Sequence, residues 1–402
     1  MPDVSLRGTY SSERIDAVDL SMKHHPRPFE VIARSVKAAT IAALCVVVPA
    51  GCVHLRALPS PAADAQSSSP SSSAAARGTG HRLVAVDVFG NRTVPSATLR
   101  ALVPFTEGTV ITLDRVLSSL ERAERSAATG PLPPGVPEQA RIDFALHLLG
   151  TRIERRALAR APIVFAQFGP VTSDNGTMTL VLDVAERGDP GLSGFRASPE
   201  EDILLPGGLV QLWEDYRNAI FAALRGGNHV EETMESGHWR TLDPKTHAAE
   251  EQFLVLVRDH LEAVRAGALR HRDPNTRQMC AYLLSWSPDP VLAVETLLEA
   301  IRDSVAYVRN EAARALIPLA SFSVETGAFE VPIEPIVDLL NRPTATDRNK
   351  AAAILLQLAA DPLKRAAIRA HAGKRLEAMA SSRAPFNHDV ALRVLDVLGN
   401  SP

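Results

Sequence analysis

Apolar residues recur with a helical period through the last third of the chain. Leu254, Val257, Leu261 and Val264 share one face, as do Val291, Val294, Leu297, Leu298 and Ile301, and this spacing predicts amphipathic helices. Each stretch leads through a short turn into a second helix. Aligning the second helices on Arg277, Arg309, Arg348 and His388 brings Cys280-Ala281, Ala312-Ala313, Ala351-Ala352 and Ala391-Leu392 to matching positions. Leu283-Leu284, Ala315-Leu316, Ile354-Leu355 and Val394-Leu395 coincide further on. Successive aligned positions lie 32, 39 and 40 residues apart, within the range of helical-repeat units. Small residues let a helix approach its partner closely, and the larger ones fill the space between successive pairs. The extra length after the second unit falls around Ser321 to Pro332. Recurrence of arginine at one structural position points to work inside the fold, such as bonding turn carbonyls or pairing with Asp303. Asp289 followed by Pro290 supplies a helix cap and a first-turn proline.

Upstream the pattern changes. Leu83, Ala85, Val86 and Val88 begin a strand that ends at the Gly90-Asn91 turn signal, and Ile163 to Phe168 and Thr177 to Val184 read as two more strands. Between them, Ser96 and Thr112 are placed to cap helices carrying Leu99, Leu102 and Val103, and then Val116, Leu117, Leu120 and Ala123. The expected order is strand, helix, helix, strand, strand. A further helical piece carries Arg152, Arg155, Arg156 and Arg160 at helical spacing, a basic stripe with Glu154 among it; a solvated face is its ordinary meaning. Trp213, Tyr216, Ile220, Phe221 and Leu224 predict an amphipathic helix running into Gly226-Gly227, whose aromatics dock domains together.

The N-terminus reads as an address. Residues 38–51 are nearly uninterrupted apolar or small residues, preceded by Lys23, Arg27, Arg34 and Lys37 and followed by Cys52. The layout is that of a secretory signal, and the run is shorter than the ~20 residues of a membrane span. Met22 gives a charged segment of ordinary length and is the preferred start. Residues 54–80 are rich in Ser, Ala and Pro, too polar to bury a core, and read as a flexible tether.

Composition narrows the function classes. The 402 residues carry 43 Lys plus Arg against 46 Asp plus Glu, so nothing marks a nucleic-acid binder. Aromatics are only 5%, which suits aliphatic helix-on-helix packing. Three cysteines, Cys45, Cys52 and Cys280, make no disulfide framework, and Cys280 falls on a buried helix face as a small hydrophobe. The best metal-ligand candidates are His229, Glu232, Glu235 and His238, in a polar stretch with Glu231. Their spacing is not that of the paired-histidine zinc helix, and a solvated loop is the simpler reading. No phosphate-binding glycine loop and no nucleophile turn is present. The expectation is a chain that is not an enzyme and takes no cofactor; the alternative is a metal-binding protein or enzyme centred on His229 to His238.

Three resemblances add to this reading. Val48-Pro49-Ala50-Gly51-Cys52 resembles the lipobox of bacterial lipoproteins, which implies that Cys52 becomes the lipidated mature N-terminus; Val53 after it implies outer-membrane sorting toward the periplasm, with inner-membrane or surface placement as alternatives. Val88-Phe89-Gly90-Asn91 and Leu182-Asp183-Val184-Ala185-Glu186, with the element order between them, resemble a POTRA domain, which implies strand addition to an exposed sheet edge; the departure lies between Thr129 and Pro162. Ile301-Arg302-Asp303, Val308-Arg309 and Ala312-Ala313 resemble a HEAT repeat, as does Asp273-Pro274 before Arg277, which implies a curved protein-binding surface.

The resulting fold class is α+β and multidomain, a small αβ domain followed by an all-α HEAT-like solenoid. Its parts are a leader over 1–52, a linker over 53–80, the POTRA-like domain over 81–188, a connecting segment over 189–251 and helical repeats over 252–402. The expected function is an exported, membrane-tethered scaffold that binds an envelope protein partner through its repeats, in envelope assembly or secretion.

Overall fold

The structure is a computed structural model that describes residues 80–128, 138–173, 175–225 and 232–399. It is of mixed α+β class, a small strand-containing domain followed by a helical C-terminal region. The leader, Met22, Cys45, Cys52 and the linker through Thr79 lie outside the described residues, as do His229 and Glu231. Among the described residues no helix is long and apolar enough to cross a membrane.

The first domain opens with β1 (His81–Phe89), α1 (Ser96–Arg100), the two-residue β2 (Val110–Ile111), α2 (Leu113–Ser119) and α3 (Arg122–Ala128). The long α4 (Glu138–Leu158) then precedes β3 (Ile163–Thr172) and β4 (Thr177–Glu186). Thr112 caps α2 by accepting from Arg115 N–H. Ser96 lies inside α1, whose cap position is Pro95, and its hydroxyl bonds Asn91. The sheet has four strands in the order β2-β1-β4-β3, with β1 and β4 parallel and the outer pairs antiparallel. The expected order thus gains β2, its second helix is divided at Leu120 into α2 and α3, and α4 is the further helical piece that carries Arg152, Arg155 and Arg156.

Alternation along β4 explains how this sheet is used. Met178, Leu180, Leu182 and Val184 join the core beneath α2 and α4. Thr179, Val181, Asp183 and Ala185 point the other way and are buried too, so both faces of the strand are covered, as strand periodicity requires. The second cover is the helical region. Asp183 accepts Ala345 N–H at 2.8 Å, Asp87 of β1 meets Ser382 Oγ at 2.6 Å, and Phe89 lies under the guanidinium groups of Arg348 and Arg375.

From β4 the chain runs back along the helical region as an extended strap. Arg342 donates to the carbonyls of Gly191 and Ser193, Arg196 N–H bonds Arg302 O, and Arg272 N–H bonds Glu201 O. Gly191 passes so close to Asn341 that a Cβ would lie 2.1 Å from its carbonyl oxygen. After the strap come α5 (Gly207–Arg225) and a hairpin of β5 (Glu232–Glu235) and β6 (His238–Thr241). Ser236 and Gly237 turn the hairpin with positive φ at both residues, as a two-residue hairpin connection requires.

The helical region comprises α6 (Pro244–Asp259), α7 (Leu261–Arg270), α8 (Pro274–Leu283), α9 (Pro290–Ala300), α10 (Ala306–Thr326), α11 (Glu334–Leu340), α12 (Ala345–Leu358), α13 (Pro362–Ala380) and α14 (Pro385–Gly399). The stripe from Leu254 to Val264 is divided at His260, so that α6 packs with α5 and β6 while α7 packs with α8. Asp243, Asp273, Asp289 and Asp361 each cap a helix that begins with proline. Part of the extra length after the second unit continues α10 to Thr326, where Gly327 ends it in the left-handed conformation. Helices α8, α10, α12 and α14 pack in succession. Cys280, Ala312, Ala351 and Ala391 are fully buried at their contacts, while Leu392 is 46% exposed.

Candidate peptide-binding cleft

The aligned arginines have their functions inside the fold. Arg277 donates through Nη1 to the turn carbonyls of His271 and Arg272, and through Nε and Nη2 to both oxygens of Asp303. Arg309 repeats the arrangement with the carbonyls of Asp303 and Ser304 and the Asp347 carboxylate. Arg348 reaches the carbonyls of Arg342 and Pro343, and its carboxylate partner is Asp183 of the sheet. A planar fork with five donors is what lets one side chain tie a turn and a neighbouring element together. His388, at the fourth position, meets the Ala380 carbonyl at 2.6 Å.

Other charged candidates are also engaged. Glu232 pairs with Arg314, and Glu235 with Arg240. His238 is buried, with its ring centroid 4.1 Å from that of Trp286. Burial, and then the positive charge of Arg240, lower its pKa to about 4. From Glu232 onward the stretch is therefore a packed hairpin and not a solvated loop, with Trp239 Nε1 donating to Arg314 O. Among the described residues no group of three or more His, Cys, Asp or Glu side chains converges as a metal would require. The basic stripe on α4 meets α3, where Glu124 takes Arg152 and Arg155 at 3.4 Å. Trp213 and Tyr216 of α5 pack on Phe253 and Tyr282, so these aromatics join the connecting segment to the first helices. Cys280 sits against Gly267, and burial pushes its thiol up to about 12.

Among the described residues a concave feature lies where sheet, strap and helix turns meet. A cleft of about 480 Å³ has Glu154 and the Phe165–Gln167 stretch of β3 on one side. Leu192 and Phe195 of the strap and Ala306 and Pro343 of the helical region complete it. Phe195 is itself held between Arg309 and Arg342, 4.8 and 3.8 Å from their guanidinium carbons.

Strand β3 is an outer strand of its sheet, paired among the described residues with β4 alone. Its register is regular from Phe165 to Thr172, so N–H directions alternate there. Phe168 N–H turns away from β4 and donates to Glu154 Oε1 at 2.7 Å. Pro170, two residues on, has no N–H, and Ala166, two residues back, directs its N–H to the same outer side. The edge is blunted at Phe168 and Pro170, a common protection against uncontrolled strand pairing, and is open beside the cleft. Helix α4 places Glu154 by close packing: a Cβ on Gly150 would lie 2.9 Å from the Phe168 ring. Burial raises the pKa of the Glu154 carboxyl, against the opposing influence of Phe168 N–H and His147.

Neither a family model nor a curated protein matches the chain. The cleft was not visible in the sequence, because its walls come from residues 154, 165–167, 192–195 and 304–344. The signal that could have been read was Pro170 within an alternating strand, which marks an edge.

Proposed function

We propose that this chain is an exported, membrane-tethered binding scaffold without catalytic activity, acting in envelope assembly or secretion, and that its protein partner docks an extended segment beside β3. The observation that carries this reading is the open β3 edge at Ala166, facing a cleft whose far wall belongs to the helical region. In this reading the sheet domain is POTRA-like, the helices are a HEAT-like array, and the array contributes turns instead of a free concave face. Support for that shift comes from α5 and the β5–β6 hairpin, which lie against α8 and α10 through Tyr216–Tyr282 and Trp239–Arg314. The tether is the lipidated Cys52 expected from Val48 to Cys52, and an outer-membrane position facing the periplasm follows from it.

Strand addition needs main-chain donors on the accepting edge. Ala166→Pro removes the outward N–H while sparing the pairing with β4, a position at which an edge strand tolerates proline. Binding of a labelled seven-residue peptide of alternating Val and Thr, followed by fluorescence anisotropy, should weaken about tenfold or more, the worth of one or two lost hydrogen bonds. Circular dichroism should report an intact fold. Unchanged peptide binding by a folded Ala166→Pro protein rules out the β3 edge.

A further inference from the structure

The polar groups around the cleft are unevenly satisfied. On the helical wall, Arg309 is committed, with Nε and Nη2 at 3.0 and 2.6 Å from Asp347 Oδ2. Several buried or half-buried carboxylates have cationic partners: Asp303 has Arg277 and Arg196, Glu232 and Glu311 share Arg314, and Asp183 has Arg348, whereas Asp87, Asp143 and Glu186 are met by hydroxyl, amide or backbone donors. Glu154 belongs to the second set. It is half-buried, it borders the cleft, and among the described residues it forms one hydrogen bond, to Phe168 N–H, and no ion pair. His147, about two helical turns before it on α4, is the titratable neighbour that acts on it. A carboxylate partly withdrawn from water without a counter-charge gains from a cation that arrives with a ligand.

Resting on the docking reading above, we infer that the cleft selects an extended segment with a basic side chain, Lys or Arg, that pairs with Glu154, flanked by apolar residues. Three features define this occupant. The open stretch of edge, Val164 to Gln167, spans about 13 Å at the rise of a strand, enough for four residues, and the cleft volume of about 480 Å³ suits a short segment. The walls offer apolar contacts in Phe165, Ala166, Leu192 and Phe195. The blunting at Phe168 and Pro170 stops the added strand at the end of the edge where Glu154 sits, so the register brings the incoming side chain near that carboxylate. Glu154 thus protects the edge when no partner is bound and recognises charge when one is.

The test uses the full chain and three labelled peptides of alternating Val and Thr, seven residues long, capped at both ends, with Lys, Gln or Glu at the centre. Anisotropy titrations at low and physiological salt should place the Lys peptide about fivefold tighter than the Gln peptide, as expected of one partly desolvated ion pair, with the Glu peptide weakest. The preference should shrink as salt rises. Glu154→Gln, whose amide oxygen can still accept Phe168 N–H, should erase the Lys preference and leave Gln-peptide binding within about twofold. Glu154→Lys should reverse the order in favour of the Glu peptide. Equal binding of the three peptides by the unsubstituted chain overturns charge selection and leaves the docking site standing. A Lys preference that survives in Glu154→Gln overturns Glu154 as its source. Binding of none of the three removes the docking site, and the inference with it.

Discussion

Glu186 ends β4 with its carboxylate turned into the loop that follows β1. There it accepts N–H groups from Arg92 and Thr93 at 2.7 Å and Val94 at 3.1 Å, and the Thr93 hydroxyl at 2.7 Å. Burial opposes ionisation, but the Thr93 hydroxyl and the three backbone donors outweigh it and hold the carboxyl down to about 2. A pKa lowered by folding means that the stabilisation is complete above the unfolded carboxyl range, near 4.5, and is lost as pH falls toward the folded value. Urea unfolding measured from about pH 6 to pH 2 should therefore show stability falling with acidification. Glu186→Gln should cost about 1–3 kcal/mol at neutral pH, because buried donors lose part of their acceptor set, and should flatten the acid slope. An unchanged slope in the variant would assign the acid sensitivity to other carboxylates.

At the scale of elements, packing of the second helices rests on small residues at matched positions. Ala312 is fully buried between neighbouring helices, so Ala312→Arg forces a long cation into a packed contact. Overpacking alone costs about 1–3 kcal/mol, and an unpaired buried charge adds to it. Hydrogen exchange should rise in α8 and α12 as well as α10, since each helix pair is held mainly by those beside it. Glu299 is paired with Arg302, so the cleaner control is exposed Glu295, whose replacement by Arg should stay within about 0.5 kcal/mol. Loss of protection confined to α10 would remove the claim of mutual support. These helices were legible because their period, their Asp-Pro starts and their alanine register all lie within about forty residues of one another. The arginine contacts to turn carbonyls, and the Arg277–Asp303 pair, could be reasoned from the same local register. The β5–β6 hairpin was not legible: Glu232, Glu235 and His238 look like a polar loop until Trp239 is seen to anchor them. Strand β2 is two residues long, too short for any periodicity to reveal.

Across the whole molecule, the sheet and the helices share an interface that no local pattern announces. Arg277 and Arg309 each take a carboxylate from the helical region ahead, Asp303 and Asp347, whereas Arg348 takes Asp183 from a strand 165 residues earlier. The sheet thus supplies the acid that a further helical unit would otherwise supply, and this fixes the side of the cleft that β3 occupies. Asp183 also accepts Ala345 N–H at the start of α12, so it serves both a guanidinium and a helix terminus from a buried position. Asp183→Ala leaves the buried Arg348 with carbonyl partners alone, and removing one member of a buried pair costs about 3–5 kcal/mol. Because the pair spans two elements, the damage should appear in both: faster hydrogen exchange in β4 and in α12, with α6 and α7, far along the array, much less affected. Arg348→Ala should cost a similar amount. The double replacement should cost less than the sum, since neither charge is then stranded. Additive losses, or exchange altered in β4 alone, would show the sheet to be an independent body beside the helices, and the cleft between them would lose its fixed geometry.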